Sequence, residues 1–578
     1  MFDCHVHALD DYDWKRFPGE DLVVFVVSTT GDGDAPDNMV EFWKFIRKRN
    51  LPATALSNVL FTVFGMGDSS YAKYNAVARK LHVRMKQLGA VEFCPLGLGD
   101  DQSANGVESD ADAWAKVMWS MLLARYPLPK GFVVDDTPRF DAEKDISYAM
   151  TYGEGARSEG NAVCEFYDPP LRSYDIAFGP IPCVLKTNKR LTAESWTQDV
   201  RHVELGLLRP VPYEAGDIAV VYPQNVFDVD AFLQGYRAEK DGQGESYSGD
   251  DVVNLTSKGT GRQGLPAGCT VRDLFLKHLD VLGVPKRYAL EQLSHFASDP
   301  EQQEKLLEIS SSSGVDLYHS YIWREKRSFL EVLEDFASCR PPLEVLASIV
   351  PFIRPREYSI SSSGSKHAHR ELHVTVAVVE YTTFYKRVRR GLCSTWLAGL
   401  EHGAPVTVWV KKGILKTPPL HAPMILVGPG TGVAPMRSLV QERVHAIAAG
   451  EQGHGGVVGQ TYLFFGNRKA GSDFLYKDEF NAYARDKKLN LITAFSRDQA
   501  HKVYVQHRLV EAKEAVWDQL SRKDAVLYIS GSSKGMPNDV YKGLLSIATE
   551  SGQLSEKDAI RFFSTMKLQK RYLVECWS

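Results

Sequence analysis

The chain has few of the features that would place it outside the cell or in a membrane. Its 578 residues include 8 cysteines, scattered from Cys4 to Cys576 with no Cys-x-x-Cys pair. That spacing reads as reduced thiols; it frames no disulfide core and no zinc or iron–sulfur ligand set. No apolar run reaches the roughly 18 residues of a membrane span. The opening MFDCHVHALDDYD lacks the basic, apolar pattern of a signal peptide. Charge of one sign is lacking too: 68 Lys and Arg against 72 Asp and Glu leave a net charge of −4. That balance argues against a general polyphosphate binder, so neither nucleic acid nor membrane is an expected partner. The 16 histidines form no His-Glu-x-x-His, and His367 and His369 sit in a polar stretch where solvation is expected. These absences predict a soluble, cytosolic protein.

What is present suits a multidomain α/β enzyme. Hydrophobic residues make up 44% of the chain, with 45 Gly and 28 Pro, and the length suggests about three or four domains. Residues 1–128 alternate short apolar strands (22–28, 58–65, 90–97) with amphipathic stretches, the pattern of parallel strands covered on both faces. Residues 129–176 turn polar and irregular and read as a linker. Residues 177–418 carry β-branched runs typical of an antiparallel barrel, interrupted at about 270–350 by a helical insertion. From 419 to 578, α/β alternation resumes.

Three sets of loops could carry chemistry. Gly428-Pro429-Gly430-Thr431-Gly432 follows the strand PMILV and opens a helix, a context in which glycines let backbone N–H groups approach a pyrophosphate. No acidic residue follows at ribose-binding distance. Instead Ser496, Arg497, Lys502, Tyr504 and Gln506 offer a hydroxyl, a guanidinium and an ammonium, which suits the 2′-phosphate of NADPH; a solvated basic turn is the alternative. Arg356-Glu357-Tyr358-Ser359, answered by Gly391-Leu392-Cys393-Ser394, pairs an aromatic for a flat ring with an arginine and a helix start for phosphates. Tyr358 as a core strand residue is the alternative there. Trp577 is a packing anchor or a ring cover. In the N-terminal domain, three strand ends bear the loops 28–34, 65–71 and 97–101, with Tyr71 as a stacking face and Asn75 as a donor. Acidic residues there (Asp32, Asp34, Asp100, Asp101, Glu108, Asp110) either steer a basic partner or are simply solvated.

In order along the chain, STTGDGD, GDSSYAKYN, LGDDQ, YEAGD, RPREYSI, RRGLCSTWL, GPGTGVAP and AFSRDQAHKVYVQH resemble the diflavin reductases, nearly end to end. Within them the chain is most similar to the NADPH-dependent reductases of cytosolic iron–sulfur protein assembly, on DSSYAKYN, GLCSTWL and GSSKGMPNDV. The resemblance implies a flavodoxin-like doubly wound FMN domain, an antiparallel FAD barrel with helical insertion, and a Rossmann-like NADPH domain. It implies FMN contacts at Ser28, Thr29, Thr30, Gly31, Met66, Gly67, Asp68, Ser69, Ser70, Tyr71, Ala72, Lys73, Tyr74, Asn75 and Asp101. FAD contacts are implied at Lys326, Arg327, Arg356, Glu357, Tyr358, Ser359, Gly391, Leu392, Cys393, Ser394 and Trp577. NADPH contacts are implied at Thr431, Ser496, Arg497, Lys502, Val503, Tyr504, Val505, Gln506 and Asp539. Ser359, Glu575 and Trp577 are the catalytic candidates, and Ser530 stands where relatives often have cysteine.

The same resemblance implies electron flow from NADPH to FAD to FMN and on to an anamorsin-type iron–sulfur protein, in a cytoplasmic protein that can associate with mitochondria. Reduction of a haem protein or of a sulfite reductase is the alternative acceptor reading. One departure stands out. The flavodoxin pattern opens with a strand, a Ser/Thr/Gly loop and a helix, whereas this chain opens at CHVHAL, which resembles the second strand. The expectation is therefore a truncated form of a longer protein with defective FMN binding. An FMN-deficient scaffold for the iron–sulfur partner is a further alternative, as is a simple ferredoxin-type reductase.

Overall fold

The computed structural model describes residues 4–30, 33–71, 73–134, 137–152, 178–236, 239–240, 245–258, 265, 268–451 and 453–577. The β-branched runs at 22–28 and near 60 become the long strands of an N-terminal parallel sheet. β1 (Leu22–Ser28) pairs with β2 (Leu60–Gly67), and β2 pairs on its far side with β3 (Val91–Glu92) and then β4 (Gly97–Asp100). β3 and β4 occupy one strand position; the ladder breaks between them around Pro95, which has no N–H to donate. The helices Val40–Ile46 and Ala76–Gln87 bury Phe42, Ile46, Leu81 and Met85 against Phe25, Val27 and Phe61. On the other side, Trp114 of the helix Gly106–Arg125 meets Phe64 at 5.1 Å between ring centroids.

CHVHAL forms no strand: residues 4–8 are irregular, against the expectation that this segment is the second flavodoxin strand. A strand exists only through its ladder, and no described residue pairs with β1 on its outer edge. One face of β1 is correspondingly open, with Val24 and Val26 exposed while Phe25 and Val27 are buried.

The stretch read as a linker contains ordered structure. A short helix Ala142–Asp145 leads into β5 (Tyr148–Tyr152), and Tyr148 is buried. The barrel follows with β6 (Ile181–Arg190), β7 (Val200–Leu207) and β8 (Ile218–Val221). The chain then enters the inserted block through the helix Val229–Tyr236, the short β9 (Glu239–Lys240) and β10 (Glu245–Ser246), and β11 (Val253–Ser257). β11 pairs antiparallel with β5, so the insertion starts earlier than expected and captures part of the linker. Its core gathers Leu274, Phe275, Leu290, Phe329 and Leu343.

Barrel strands return as β12 (Arg356–Ser359) and β13 (Glu371–Ala377), then the hairpin β14 (Glu380–Thr382) and β15 (Val388–Arg390), and finally β16 (Pro405–Lys411). The sheet order is β12-β8-β16-β6-β7-β13, all antiparallel. An Ile360–Val374 bridge draws its two ends together, so the barrel is nearly closed. The last domain is a parallel sheet in the order β19-β18-β17-β20-β21, built from β17 (Met424–Val427), β18 (Thr461–Asn467), β19 (Asn490–Phe495), β20 (Val526–Ser532) and β21 (Tyr572–Trp577). Chain order reverses beside β17, which is where ligands of such sheets bind. Among the described residues no helix is long and apolar enough to cross a membrane.

Candidate functional site

The glycine loop after β17 is shaped by close backbone approach. Gly430 has φ +58°, and a Cβ on Gly432 would stand 2.1 Å from the Ser530 carbonyl oxygen. The loop therefore lies directly over β20 and runs into the 16-residue helix Val433–Ala448, whose first N–H groups have no side-chain cap. Free N–H groups and the helix dipole at this point attract an anion such as a pyrophosphate. Thr431 is half-buried in the loop.

Beyond β19, the backbone N–H of Ser496 bonds to Asn467 O at 2.9 Å and that of Arg497 to Arg468 O at 2.8 Å. This joins the loops after β18 and β19 and sets Arg468 and Lys469, both exposed, beside Arg497. These two cations fall outside the basic turn expected at 496–506; their signal in the sequence is Asn-Arg-Lys directly after an apolar strand. Lys502 and Tyr504 face outward, whereas Val503 and Val505 point into the core and fix the segment. Gln506 is half-buried, and Asp539 lies in the first turn of the helix Met536–Glu550, 3.6 Å from Lys542.

On the barrel, Tyr358 packs beside Cys393. Burial pushes the phenol well up, and it pushes the Cys393 thiol up to about 11. Gly391 caps the helix Leu392–Gly399, and Ser394 Oγ accepts from the Val379 N–H at 3.1 Å. Arg356 is exposed, with its guanidinium donating to Arg354 O, and Glu357 meets Lys411 at 3.0 Å. Arg327 pairs with Asp335 and lies over the Tyr321 ring. Lys326 sits 3.5 Å above the Trp323 ring. Burial lowers its pKa, while Asp101 of the N-terminal domain acts the other way.

Two catalytic candidates 216 residues apart meet directly. Ser359 Oγ donates to Glu575 Oε1 at 2.7 Å. The other carboxylate oxygen, Oε2, is buried without a partner, as is Oγ of Ser530, which pairs with Glu575 in register across β20 and β21. Burial pushes Glu575 up, the Ser359 hydrogen bond opposes, and Glu357 adds to the rise. Two unsatisfied buried oxygens on the strand ends that carry the exposed Trp577 fit the polar edge of a flat ring system.

In the N-terminal domain Asn75 is a clamp. It is fully buried in a left-handed conformation (φ +52°), and its amide donates to Gly99 O at 3.0 Å. Cβ atoms on Gly65 or Gly67 would collide with that amide. Tyr74 Oη donates to Leu98 O and Gly99 O, and Thr29 Oγ1 accepts from the Val77 N–H. Burial works against the charge of Asp100, but the N–H groups of Ser69 and Gln102 hold its carboxyl low; this aspartate shapes the loop. Asp101 and Lys73 are exposed, and Ser28, Thr30, Met66, Asp68 and Ser70 line the same strand ends. Gly31, Ala72 and Asp32 lie outside the described residues.

These N-terminal loops face the other site. Ser533 Oγ donates to Tyr71 Oη at 3.2 Å, and the Ser533 N–H bonds to Trp577 O at 2.8 Å. Tyr71, the expected stacking residue of one ring site, is thus joined through Ser533 to the backbone of Trp577, the ring cover expected at the other. The docking is charged: Arg287 donates to Glu108 Oε2 at 3.2 Å and to Asp112 Oδ1 at 2.7 Å, Lys286 reaches Glu108, and Asn105 donates to Asp316. Part of the acidic surface read as steering an outside partner therefore meets a basic patch of the chain's own helical block.

Comparison with known proteins agrees with this layout. Residues 1–114 match the flavodoxin family, 178–396 the FAD binding domain family, and 426–542 the oxidoreductase NAD-binding domain family. The chain is 39% identical over 583 residues to "NADPH-dependent diflavin oxidoreductase 1" of Danio rerio, covering 99% of this chain and 94% of the relative. It is 37% identical over 607 residues to the protein of that name from Arabidopsis thaliana (99% and 94%). The Schizosaccharomyces pombe protein of that name is 33% identical over 586 residues (100% and 94%).

Proposed function

This chain belongs to the NADPH-dependent diflavin oxidoreductase 1 family, and we propose that it passes electrons from NADPH to an anamorsin-type iron–sulfur protein in cytosolic iron–sulfur protein assembly. The chain is an oxidoreductase whose cofactors are FAD, FMN and NADPH. The flavins supply the conversion of a two-electron hydride donor into one-electron delivery; the protein positions and tunes them.

The chain's own residues do the following. The glycine loop and the helix Val433–Ala448 hold a pyrophosphate, and Arg468, Lys469, Arg497 and Lys502 favour a 2′-phosphate. Trp577 covers the ring position and moves aside for a nicotinamide, a gating motion. Ser359 orients Glu575 through Oε1, leaving Oε2 to hold or accept a proton where charge changes. Tyr71, against Ser533, brings the N-terminal ring site to the indole.

The single observation that supports the reading most is this Tyr71–Ser533–Trp577 contact, which joins the two ring sites without another protein. One-electron chemistry then leaves from the N-terminal domain, whose docking is polar and therefore separable. The test is anaerobic, NADPH-driven reduction of a purified anamorsin-type protein beside cytochrome c and a sulfite reductase haemoprotein. Preferential reduction of the iron–sulfur protein supports the proposal. Preference for either haem acceptor overturns it, and reduction of ferricyanide alone points to a live NADPH–FAD half with a silent relay.

A further inference from the structure

On the outer face of the barrel, β7 and β13 place three metal-ligating side chains together. Their antiparallel register sets His373 opposite Glu204 and Thr375 opposite His202. Side chains two apart on a strand share a face, so His202 and Glu204 stand beside His373 above the sheet. One ligand atom from each lies within 4.8 Å of the others. The two imidazole rings are 5.0 Å apart at 84°, and His202 Nε2 is 3.0 Å from Glu204 Oε1. Ligand atoms around a tetrahedral zinc ion with bonds of about 2.0–2.2 Å stand roughly 3.3 Å apart.

Two further observations point to a ligand. His373 is 2% exposed, and its Nδ1 is buried with no hydrogen-bond partner, while its Nε2 lies 3.3 Å from Glu371 Oε2. The outer groups are also in place. His202 Nδ1 lies 3.0 Å from Tyr476 Oη, and Thr187 Oγ1 donates to Glu204 Oε2 at 2.6 Å. Carboxylate or hydroxyl partners on the far nitrogen of each imidazole are what metal-bound histidines have. The nearby cations are engaged elsewhere: Arg437 with Glu479 at 2.6 Å, Lys366 also with Glu479, and Lys186 with Glu371 at 2.7 Å.

We propose that His202, Glu204 and His373 form a binding site for a divalent transition-metal ion of the zinc class, at the seam between the barrel and the C-terminal domain. Two imidazoles with one carboxylate suit zinc and leave a fourth position for water. Tyr476 comes from the C-terminal domain, so the ion would fasten that domain to the barrel.

The test is equilibrium dialysis of the metal-stripped full-length chain against zinc alone, with bound metal measured by mass spectrometry. Wild type is expected to hold one zinc ion that His202→Gln and His373→Gln each weaken at least about 100-fold. Tyr476→Phe keeps the packed ring but frees His202 Nδ1, and is expected to weaken it about 10- to 100-fold. Replacing the exposed His5 and His7 by Ala should leave this ion in place. Flavin content and thermal melting confirm that each variant folds; Tyr476→Phe with Glu204→Gln decides the matter if a histidine variant does not. Absence of bound zinc in wild type, or zinc retained at unchanged affinity by the ligand variants, overturns the proposal.

Discussion

Replacing Arg287 by Ala should undock the N-terminal domain without harming either half. The guanidinium is 14% exposed and donates to two carboxylates, Glu108 and Asp112, which are themselves about three-quarters buried. Hydrogen bonds to charged groups contribute about 1.5–3 kcal/mol each when well buried, and exposed ion pairs about 0–1 kcal/mol. Partial burial here, with Lys286 still near Glu108, puts the loss at about 1–3 kcal/mol, or about a 5- to 150-fold fall in the docking equilibrium. The assay is anaerobic stopped-flow absorbance after mixing with NADPH. The early phase, in which NADPH reduces the adjacent flavin, should keep its rate, because Arg287 is far in the chain from Gly428–Gly432 and Glu575. The later transfer to the N-terminal site should slow, by up to the factor above, and its dependence on salt should flatten, since screened charges no longer hold the contact. An unchanged later phase with unchanged salt dependence would refute the docking role. Equal slowing of both phases would refute it too, because that would indicate general damage.

Three other outcomes are expected. Glu575 has a folded pKa above its ordinary 4.5, so the folded chain binds the extra proton and its contribution to stability falls as pH rises from about 4.5 through the folded value; Glu575→Gln should remove that falling arm in melting temperature measured against pH, and an identical profile would count against the assignment. Asn75→Ala removes one of the two side-chain donors to Gly99 O, Tyr74 Oη being the other, and puts Ala in a left-handed conformation, a loss of roughly 1–3 kcal/mol; differential scanning calorimetry and FMN content should both register it. Gly432→Ala drives a Cβ into the Ser530 carbonyl, so the loop must shift; NADPH-driven ferricyanide reduction should fall by up to about 100-fold, with about 1–3 kcal/mol lost in denaturant melts.

Local features were legible in the sequence. The run MILV followed by Gly-Pro-Gly-Thr-Gly announces β17, its loop and the helix behind it, because every determinant lies within a dozen residues. β2 reads as an apolar run broken only by Thr62, for the same reason. Pairings between distant segments left no local trace. β5 is a five-residue strand in polar surroundings, and its partner β11 lies about 100 residues further on, so it read as linker. Ser359 and Glu575 were each candidates, but their hydrogen bond, like the Tyr71–Ser533 contact across 462 residues, exists only in the folded chain. His367, expected in solvent, is half-buried and 3.1 Å from Glu371, and His369 has a buried Nδ1 without a partner. A polar stretch looks solvated until the barrel wall it lies against is known. CHVHAL shows the converse, a segment that resembles a strand and forms none because nothing described pairs with it.

The central claim is that NADPH bound at the C-terminal domain reduces a flavin that in turn feeds a second flavin in the N-terminal domain. Anaerobic titration of the purified chain with NADPH, following flavin absorbance after FAD and FMN have been quantified, tests it most directly. Both flavins should be bound, the flavodoxin match over residues 1–114 weighing against the FMN defect expected from the missing opening strand; both should be bleached by NADPH, and far less by NADH. A colourless chain, or one whose flavin absorbance NADPH leaves unchanged, would contradict it.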